Sequence, residues 1–508
     1  MPKVISMEEA VCLIQDGQTI AIMGSGGAVN EPSSLLKKIG EKYVKEHKPK
    51  NLTLYHACGL GDKDGLGTDA LAHEGLVKRE IAGYWGMAPS MAQLALDDKM
   101  EAYNFPQGVA AQMYRAVAAD KPGVITKTGL YTFIDPRVEG GRMNRRTTED
   151  LIKVVELNGE EWLWYPAIKF DIGLVRGTTA DCNGNITCEE EAAILDGRSL
   201  AQAVHNCGGI VIAQVKYVSE EKAHPKKVTI PGIYVDYIVV DPEQKQTCQT
   251  VYDPALAGNV MTPFDNVPKM EMGARKIVAR RAAKELPKGD AVINLGVGMP
   301  DGIASVAAED GYLNRLHLTV ESGLIGGMPM PGVIFGTSHN PDAIIDMASQ
   351  FDFYDGGGLD VCFLGMAQTD KLGNVNSSKT GRMLTGCGGA INISQNARKV
   401  VFCGTFTAKG LKVEICNGKL NILQEGQIRK LVSGVDQITF SGKYAVSVGQ
   451  PVLYVTERAV FELGEDGMIL VEIAPGVDLE QDVLGQMDFV PKVSEQLKLM
   501  DEDIFYTD

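Results

Sequence analysis

The same short pattern occurs twice in this chain, and the repeat limits what the chain can fold into. "DGQTIAIMGSGG" in the N-terminal half answers to "KGDAVINLGVGM" in the C-terminal half. Gly17, Gly24 and Gly26 match Gly289, Gly296 and Gly298 at an offset of 272. Each segment reads as a buried strand, then a glycine turn, then a helical pattern: "NEPSSLLKKIGEKYV" in one half and "MPDGIASVAAED" in the other. A second match pairs "NLTLYHACG" with "HLTVESG", setting Leu52-Thr53 against Leu318-Thr319 and Tyr55 against Glu321. A third is ungapped. Asp171, Asp181, Gly184 and Asn185 match Asp360, Asp370, Gly373 and Asn374 at an offset of 189. The shrinking offset places extra residues in the N-terminal half, within about 80–165.

Three matches in one order imply two related domains. A chain of 508 residues is also too long for one ordinary core. Apolar strands alternate with helical stretches, so the expected fold class is α/β, with two open, largely parallel sheets and flanking helices. The Pro-, Gly- and Asn-rich stretch 251–272 precedes a fresh helical pattern, "GARKIVARRAAKEL". The expected domains are therefore 1–260 and 272–508, with a junction near 265.

Composition excludes several classes of function. A net charge of -16 opposes nonspecific nucleic-acid binding, and it means that an anionic ligand needs local donors. No apolar run of about 18 residues predicts a membrane span. The start lacks a basic region followed by a long apolar run, so a cytoplasmic location is expected. The ten cysteines form no CxxC pair and the seven histidines no HExxH, so reduced thiols and no metal site are expected.

Three segments carry candidate chemistry. "GSGGAV" and "GVGMPD" contain GxG before a helix, but Val29 and Asp301 stand where a dinucleotide fingerprint needs its third glycine. Exposed amides there still suit an anion or a carbonyl oxygen. Glu321 ends the apolar stretch "LHLTVE" and runs into the small residues "SGLIGGMPMPG". In a parallel sheet that is where ligands gather. By itself the carboxylate is open to roles as base, acid, nucleophile, metal ligand or solvated surface group. The third segment, 373–410, holds a second glycine turn, "GCGGA", before the strand "KVVFCGTF"; its "KTG" lacks the SDN that a serine β-lactamase would show.

The order GxG–helix, strand–"ESGLIGG", "GNVN", "GCGGAINI", "KVVF…TAKG" resembles the family I coenzyme A transferases. It is most like their single-chain acetate/propionate members, relatives of succinyl-CoA:3-oxoacid CoA-transferase. Those relatives typically carry ENG where this chain has Glu321-Ser322-Gly323, and GGAMDL where it has Gly388 to Ile393. The resemblance spans nearly the whole chain. It implies a ping-pong reaction in which Glu321 is the nucleophile and a glutamyl-CoA thioester forms. It implies oxyanion and CoA contacts from Val297, Gly298, Met299, Pro300, Asp301, Gly389 and Lys409. It places Gly24, Ser25, Gly26, Gly27 and Asn376 around the acyl or carboxylate group. Substrates would be short-chain acyl-CoA thioesters and acids such as acetate, propionate, butyrate or acetoacetate. No permanently bound cofactor is expected, and the protein would be a homodimer or homotetramer. An acyl-CoA hydrolase and a non-catalytic acyl-CoA sensor are the alternatives.

Overall fold

The computed structural model describes residues 1–263, 269–381 and 383–506; the junction expected near 265 lies outside them. By packing, the chain divides into two compact units. One comprises Met1–Thr262 with Val320–Asp352 and Leu384–Asn392, and the remaining described residues form the other. The sequence repeat places Glu321 and Gly389 in the expected domain 272–508, whereas packing assigns them to the unit built mainly from the N-terminal half.

The first unit is organised by a parallel sheet. Its strand order is Lys3–Val4, Tyr237–Val240, Ile210–Val218, Ile172–Ala180, Thr19–Ile22, Leu52–His56, Val77–Ala82, Glu101–Asn104. Every neighbouring pair along this path is parallel. Parallel strands are covered on both faces, so they read as apolar runs, and Ile20, Ala21 and Ile22 are buried accordingly. The helix Ser33–Glu46 follows the first glycine turn and buries Leu35, Leu36 and Ile39.

The second unit repeats the central order. Leu316–Val320, Ala291–Leu295, Val361–Gly365, Val400–Cys403 and Val452–Val455 correspond to the five strands from Leu52–His56 back to Tyr237–Val240. Antiparallel strands Ala459–Gly464 and Gly467–Ile473 extend it, and Lys492–Leu499 closes the edge. Its helix Gly302–Glu309 follows the second glycine turn. The extra N-terminal residues form Val77–Ala82, Glu101–Asn104 and a three-stranded antiparallel sheet of Gly123–Thr126, Glu160–Pro166 and Lys153–Leu157.

Repeated side-chain bonds support the repeated topology. The Thr19 amide donates to Asp171 Oδ2 at 2.8 Å, and the Val292 amide to Asp360 Oδ2 at 2.9 Å. Asp181 caps its own turn by accepting from the Asn183 and Asn185 amides, as Asp370 does from Leu372 and Asn374. Asn185 Oδ1 then accepts from Gly232 and Asn374 Oδ1 from Gly442. The third sequence match is thus a scaffold turn. The second match needs correction: Tyr55 lies inside the Leu52–His56 strand, whereas Glu321 lies just beyond the end of Leu316–Val320. The position one past the matching strand end is Ala57.

Candidate active site

The turn after Thr19–Ile22 is built to lie close to its neighbours. Gly27 has φ +77°, and a Cβ there would sit 2.9 Å from both Ile334 Cγ2 and the Val333 carbonyl oxygen. Only glycine combines that conformation with that approach. Ser25 is buried, and its backbone exchanges hydrogen bonds with Val29 at 2.9 and 3.1 Å. Its Oγ lies 3.1 Å from Cys58 Sγ. The Gly27 amide donates to the Gly61 carbonyl at 2.8 Å, so the loops after the two adjacent strands are tied together. Beneath them Arg176 pairs with Glu191, both buried, and donates to the Ala28 and Glu31 carbonyls. Glu31 accepts from the Gly61 amide at 2.7 Å.

Glu321 stands one residue past its strand, between buried Val320 and buried Ser322. Gly323 explains the small residues that follow. With φ +100°, it brings the chain so near Ile345 that a Cβ would lie 2.1 Å from that carbonyl oxygen. The Ser322 hydroxyl donates to the Gly336 carbonyl at 2.5 Å. Ser25 Oγ would lie 2.8 Å from a Cβ at Gly336, so Ser322 and Ser25 approach the same residue. The side chain of Glu321 stays partly exposed. Desolvation by the surrounding protein pushes its carboxyl up to about 6, against the pull of its own backbone amide. Among the described residues no cation pairs with it. Cys58 is pushed up to about 11, chiefly by burial, with the Glu321 charge contributing. Glu321, Cys58 and Ser25 therefore form one neighbourhood.

The "GCGGA" loop joins the same unit. Trp85 donates its amide to the Thr385 carbonyl at 2.7 Å, and Gly388 donates to Gly83 at 2.8 Å. Gln107 donates to the Gly388 carbonyl at 3.0 Å, and the Cys387 amide donates to Asn104 Oδ1 at 2.8 Å. Gly83 and Asn104 lie at the carboxyl ends of Val77–Ala82 and Glu101–Asn104. Gly389 is buried directly before the helix Ala390–Asn396, and its amide donates to no described residue. Turns from four adjacent strands thus collect along one edge, as parallel sheets require of a ligand site.

The remaining candidates lie in the second unit. Val297 is 55% exposed with its amide bonded to no described residue. Met299 is half-buried and Pro300 buried. Asp301 pairs with Arg275 and accepts from the Gly298 amide at 3.4 Å. Lys409 is exposed in a left-handed conformation, φ 62°, after Thr407–Ala408. Asn376 departs from the sequence expectation. It is fully buried, with its amide donating to Gln368 Oε1 and the Lys379 carbonyl and its Oδ1 accepting from Ser378 and Lys379. That uses both donors and both lone pairs, leaving nothing for a substrate carboxylate.

Sequence reasoning missed a buried polar group under the Glu321 neighbourhood. His56, the last residue of its strand, faces Glu80 at 2.7 Å and the Cys58 carbonyl at 2.5 Å. Asp196 is buried with Oδ1 unpartnered, and burial pushes it up to about 7. The signal available was "YHACG", a titratable pair straddling a strand end. Among the described residues, no three His, Cys, Asp or Glu side chains group to hold a metal ion, and no helix is long and apolar enough to cross a membrane.

Comparison with known proteins places this geometry. The model of the coenzyme A transferase family matches residues 4–241 and 275–483. Acetate CoA-transferase YdiF of Escherichia coli K12 is 48% identical over 508 residues, covering 99% of this chain and 95% of the relative. Caffeate CoA-transferase of Acetobacterium woodii is 48% identical over 514 residues, covering 99% and 98%. A human mitochondrial succinyl-CoA:3-ketoacid coenzyme A transferase is more distant, at 27% over 422 residues, covering 77% and 75%. The solved structure of acyl-CoA transferase YdiF from E. coli O157:H7, as a thioester complex with CoA, superposes with TM-score 0.94 at 47% identity over 99% of this chain and 96% of that one. The chain belongs to the coenzyme A transferase family and is an enzyme with CoA-transferase activity.

Proposed function

We propose that the protein transfers CoA between a short-chain acyl-CoA and a free monocarboxylic acid, with Glu321 as the covalent nucleophile. One observation carries this reading: a desolvated carboxylate, without a cationic partner among the described residues, at the end of a parallel strand in a CoA-transferase. Such a group is ionised for the most part at neutral pH and is not engaged in a structural ion pair. The names of the relatives support acetate-like or larger monocarboxylic acids, and the thioester complex recorded for YdiF supports a covalent CoA intermediate.

The steps balance without ATP or metal. The Glu321 carboxylate attacks the acyl-CoA carbonyl, forming a mixed anhydride and releasing CoA thiolate. The thiolate attacks the glutamyl carbonyl, giving glutamyl-CoA and the first acid. A second carboxylate attacks the glutamyl thioester, and the released thiolate then takes the new acyl group and frees Glu321. Each tetrahedral intermediate carries an oxyanion. The unengaged amides of Gly389 and Val297 are the donors assigned to it, each worth about 3 kcal/mol in comparable sites. Gly24, Ser25, Gly26 and Gly27 are assigned to the acid, and the Gly298–Asp301 turn and Lys409 to CoA. Location in the cytoplasm and assembly as a homodimer or homotetramer belong to the same reading, as do the repeat-based domains 1–260 and 272–508.

The test is the adduct. Protein incubated with acetyl-CoA and quenched in acid gains the mass of CoA less water, on a peptide containing "TVESGLIGG", and acetate discharges it as acetyl-CoA. Glu321→Gln forms no adduct and transfers no CoA. Transfer by that variant above a few per cent of wild type removes Glu321 from the mechanism, and rapid decay of the adduct in buffer alone favours hydrolysis.

A further inference from the structure

The Cys58–Gly61 loop is linked to the neighbour of Glu321 through Ser25 and Gly336, and it is held at three points. The Gly61 amide donates to Glu31 at 2.7 Å, the Gly61 carbonyl accepts from Gly27 at 2.8 Å, and the Cys58 carbonyl lies 2.5 Å from His56 Nδ1. A carbonyl oxygen only accepts, so Nδ1 carries a proton. Nε2 faces Glu80 Oε1 at 2.7 Å, a hydrogen bond that needs a second proton on the pair, and both residues are 1% exposed. The ring is therefore clamped between a carboxylate on the Val77–Ala82 strand and the carbonyl at the start of the loop. Glu80 Oε2 has no partner, so the pair is not part of a wider stabilising network at that atom.

From this geometry we propose that His56 is a positioning residue for the transfer reaction, its Nδ1–H fixing the Cys58 carbonyl so that Cys58 and Ser25 form a rigid wall beside Glu321. Cys58 Sγ lies 3.1 Å from Ser25 Oγ, and Ser25 meets Gly336, which Ser322 also binds. Loosening the Cys58 carbonyl frees that wall and lets the nucleophile drift from its line of attack. Misplacement by about 1 Å costs on the order of a hundredfold in rate. Glu80 holds the ring from the other side.

The inference rests on Glu321 being the nucleophile, and two amide variants separate the two claims. Asparagine places its Nδ2 where His56 has Nδ1, so His56→Asn keeps the donor to Cys58. Glutamine reaches instead towards Glu80, so His56→Gln loses that donor. Both variants are assayed as folded protein, checked by circular dichroism, with acetyl-CoA and propionate. The expected result is a kcat for His56→Gln at least tenfold below wild type, with KM for acetyl-CoA within threefold, while His56→Asn keeps at least a third of wild-type kcat. Equal kcat in the two variants overturns the proposal, because a purely structural buried pair would be damaged by both. If His56→Gln does not fold, alkylation of Cys58 by iodoacetamide decides. In His56→Asn the rate stays within threefold of wild type, and a tenfold rise overturns the proposal. Activity in Glu321→Gln would sink the nucleophile assignment, whereas an inactive Glu321→Gln beside a fully active His56→Gln would sink only this inference.

Discussion

Replacing Glu321 by glutamine removes a charge that the fold holds at a cost, so the variant is expected to be more stable as well as inactive. The carboxyl is raised from its ordinary 4.5 to about 6, with desolvation as the largest cause. That displacement corresponds to about 2 kcal/mol between the charged and neutral forms. The sign follows from proton binding. Between 4.5 and 6 the native protein holds a proton that the unfolded chain has released, so this group's contribution to stability is present below 4.5 and is lost as pH rises through about 6. A glutamine has no such dependence. Glu321→Gln should therefore exceed wild type by about 2 kcal/mol at pH 8 and by about 0.8 kcal/mol at pH 5. Urea unfolding at both pH values reads the difference on the transition of the unit that holds Glu321, since a chain of two units need not unfold in one step. A potentiometric difference titration, wild type minus variant, reads the group directly as one proton with a midpoint near 6. A midpoint below 5, or a variant whose advantage does not grow from pH 5 to pH 8, would refute the desolvation argument.

The same carboxyl governs activity. The acid limb of kcat/KM for acyl-CoA should have a midpoint near 6, the rate falling about tenfold by pH 5; a flat profile from pH 5.5 to 7.5 would show that another step limits. Gly323→Ala forces a Cβ to within 2.1 Å of the Ile345 carbonyl oxygen at φ +100°, and should cost about 3 kcal/mol or more in chemical denaturation; a loss under about 0.5 kcal/mol would mean that the turn relaxes freely. Lys409→Ala should raise KM for acyl-CoA about fivefold at low salt, roughly 1 kcal/mol, with kcat kept and the effect shrinking at high salt. An unchanged KM would remove Lys409 from CoA binding.

How much was legible in the sequence depended on the range of the interaction. Strand–turn–helix units are local, so the glycine turns at Gly24 and Gly296 and their helices were readable, and the duplicated order of strands followed. The Asp181–Asn185 and Asp370–Asn374 turns matched across the repeat because both halves need the same capped turn. The resemblance places Asn376 of the nearby "GNVN" at the site, but all its hydrogen bonds serve its own loop. The Tyr55–Glu321 pairing failed because short apolar strands align equally well when shifted by a residue or two. His56 and Glu80 were invisible because they meet only when the strands at 52–56 and 77–82 become neighbours.

The desolvated setting of Glu321 also bears on the reaction, since the ionised carboxylate is the only charged form that this group takes in the proposed cycle. The anhydride and the glutamyl thioester are both neutral, as the protonated acid is. The environment that disfavours the charge by about 2 kcal/mol therefore tilts covalent loading towards the adduct by about 30-fold relative to a solvated glutamate. Deeper burial would tilt it further but would defeat the reaction at its first step. A carboxyl raised past 7 would be mostly protonated at neutral pH, and a protonated acid does not attack a thioester. A value near 6 keeps about nine-tenths of the nucleophile ionised at pH 7 while retaining most of the gain on loading.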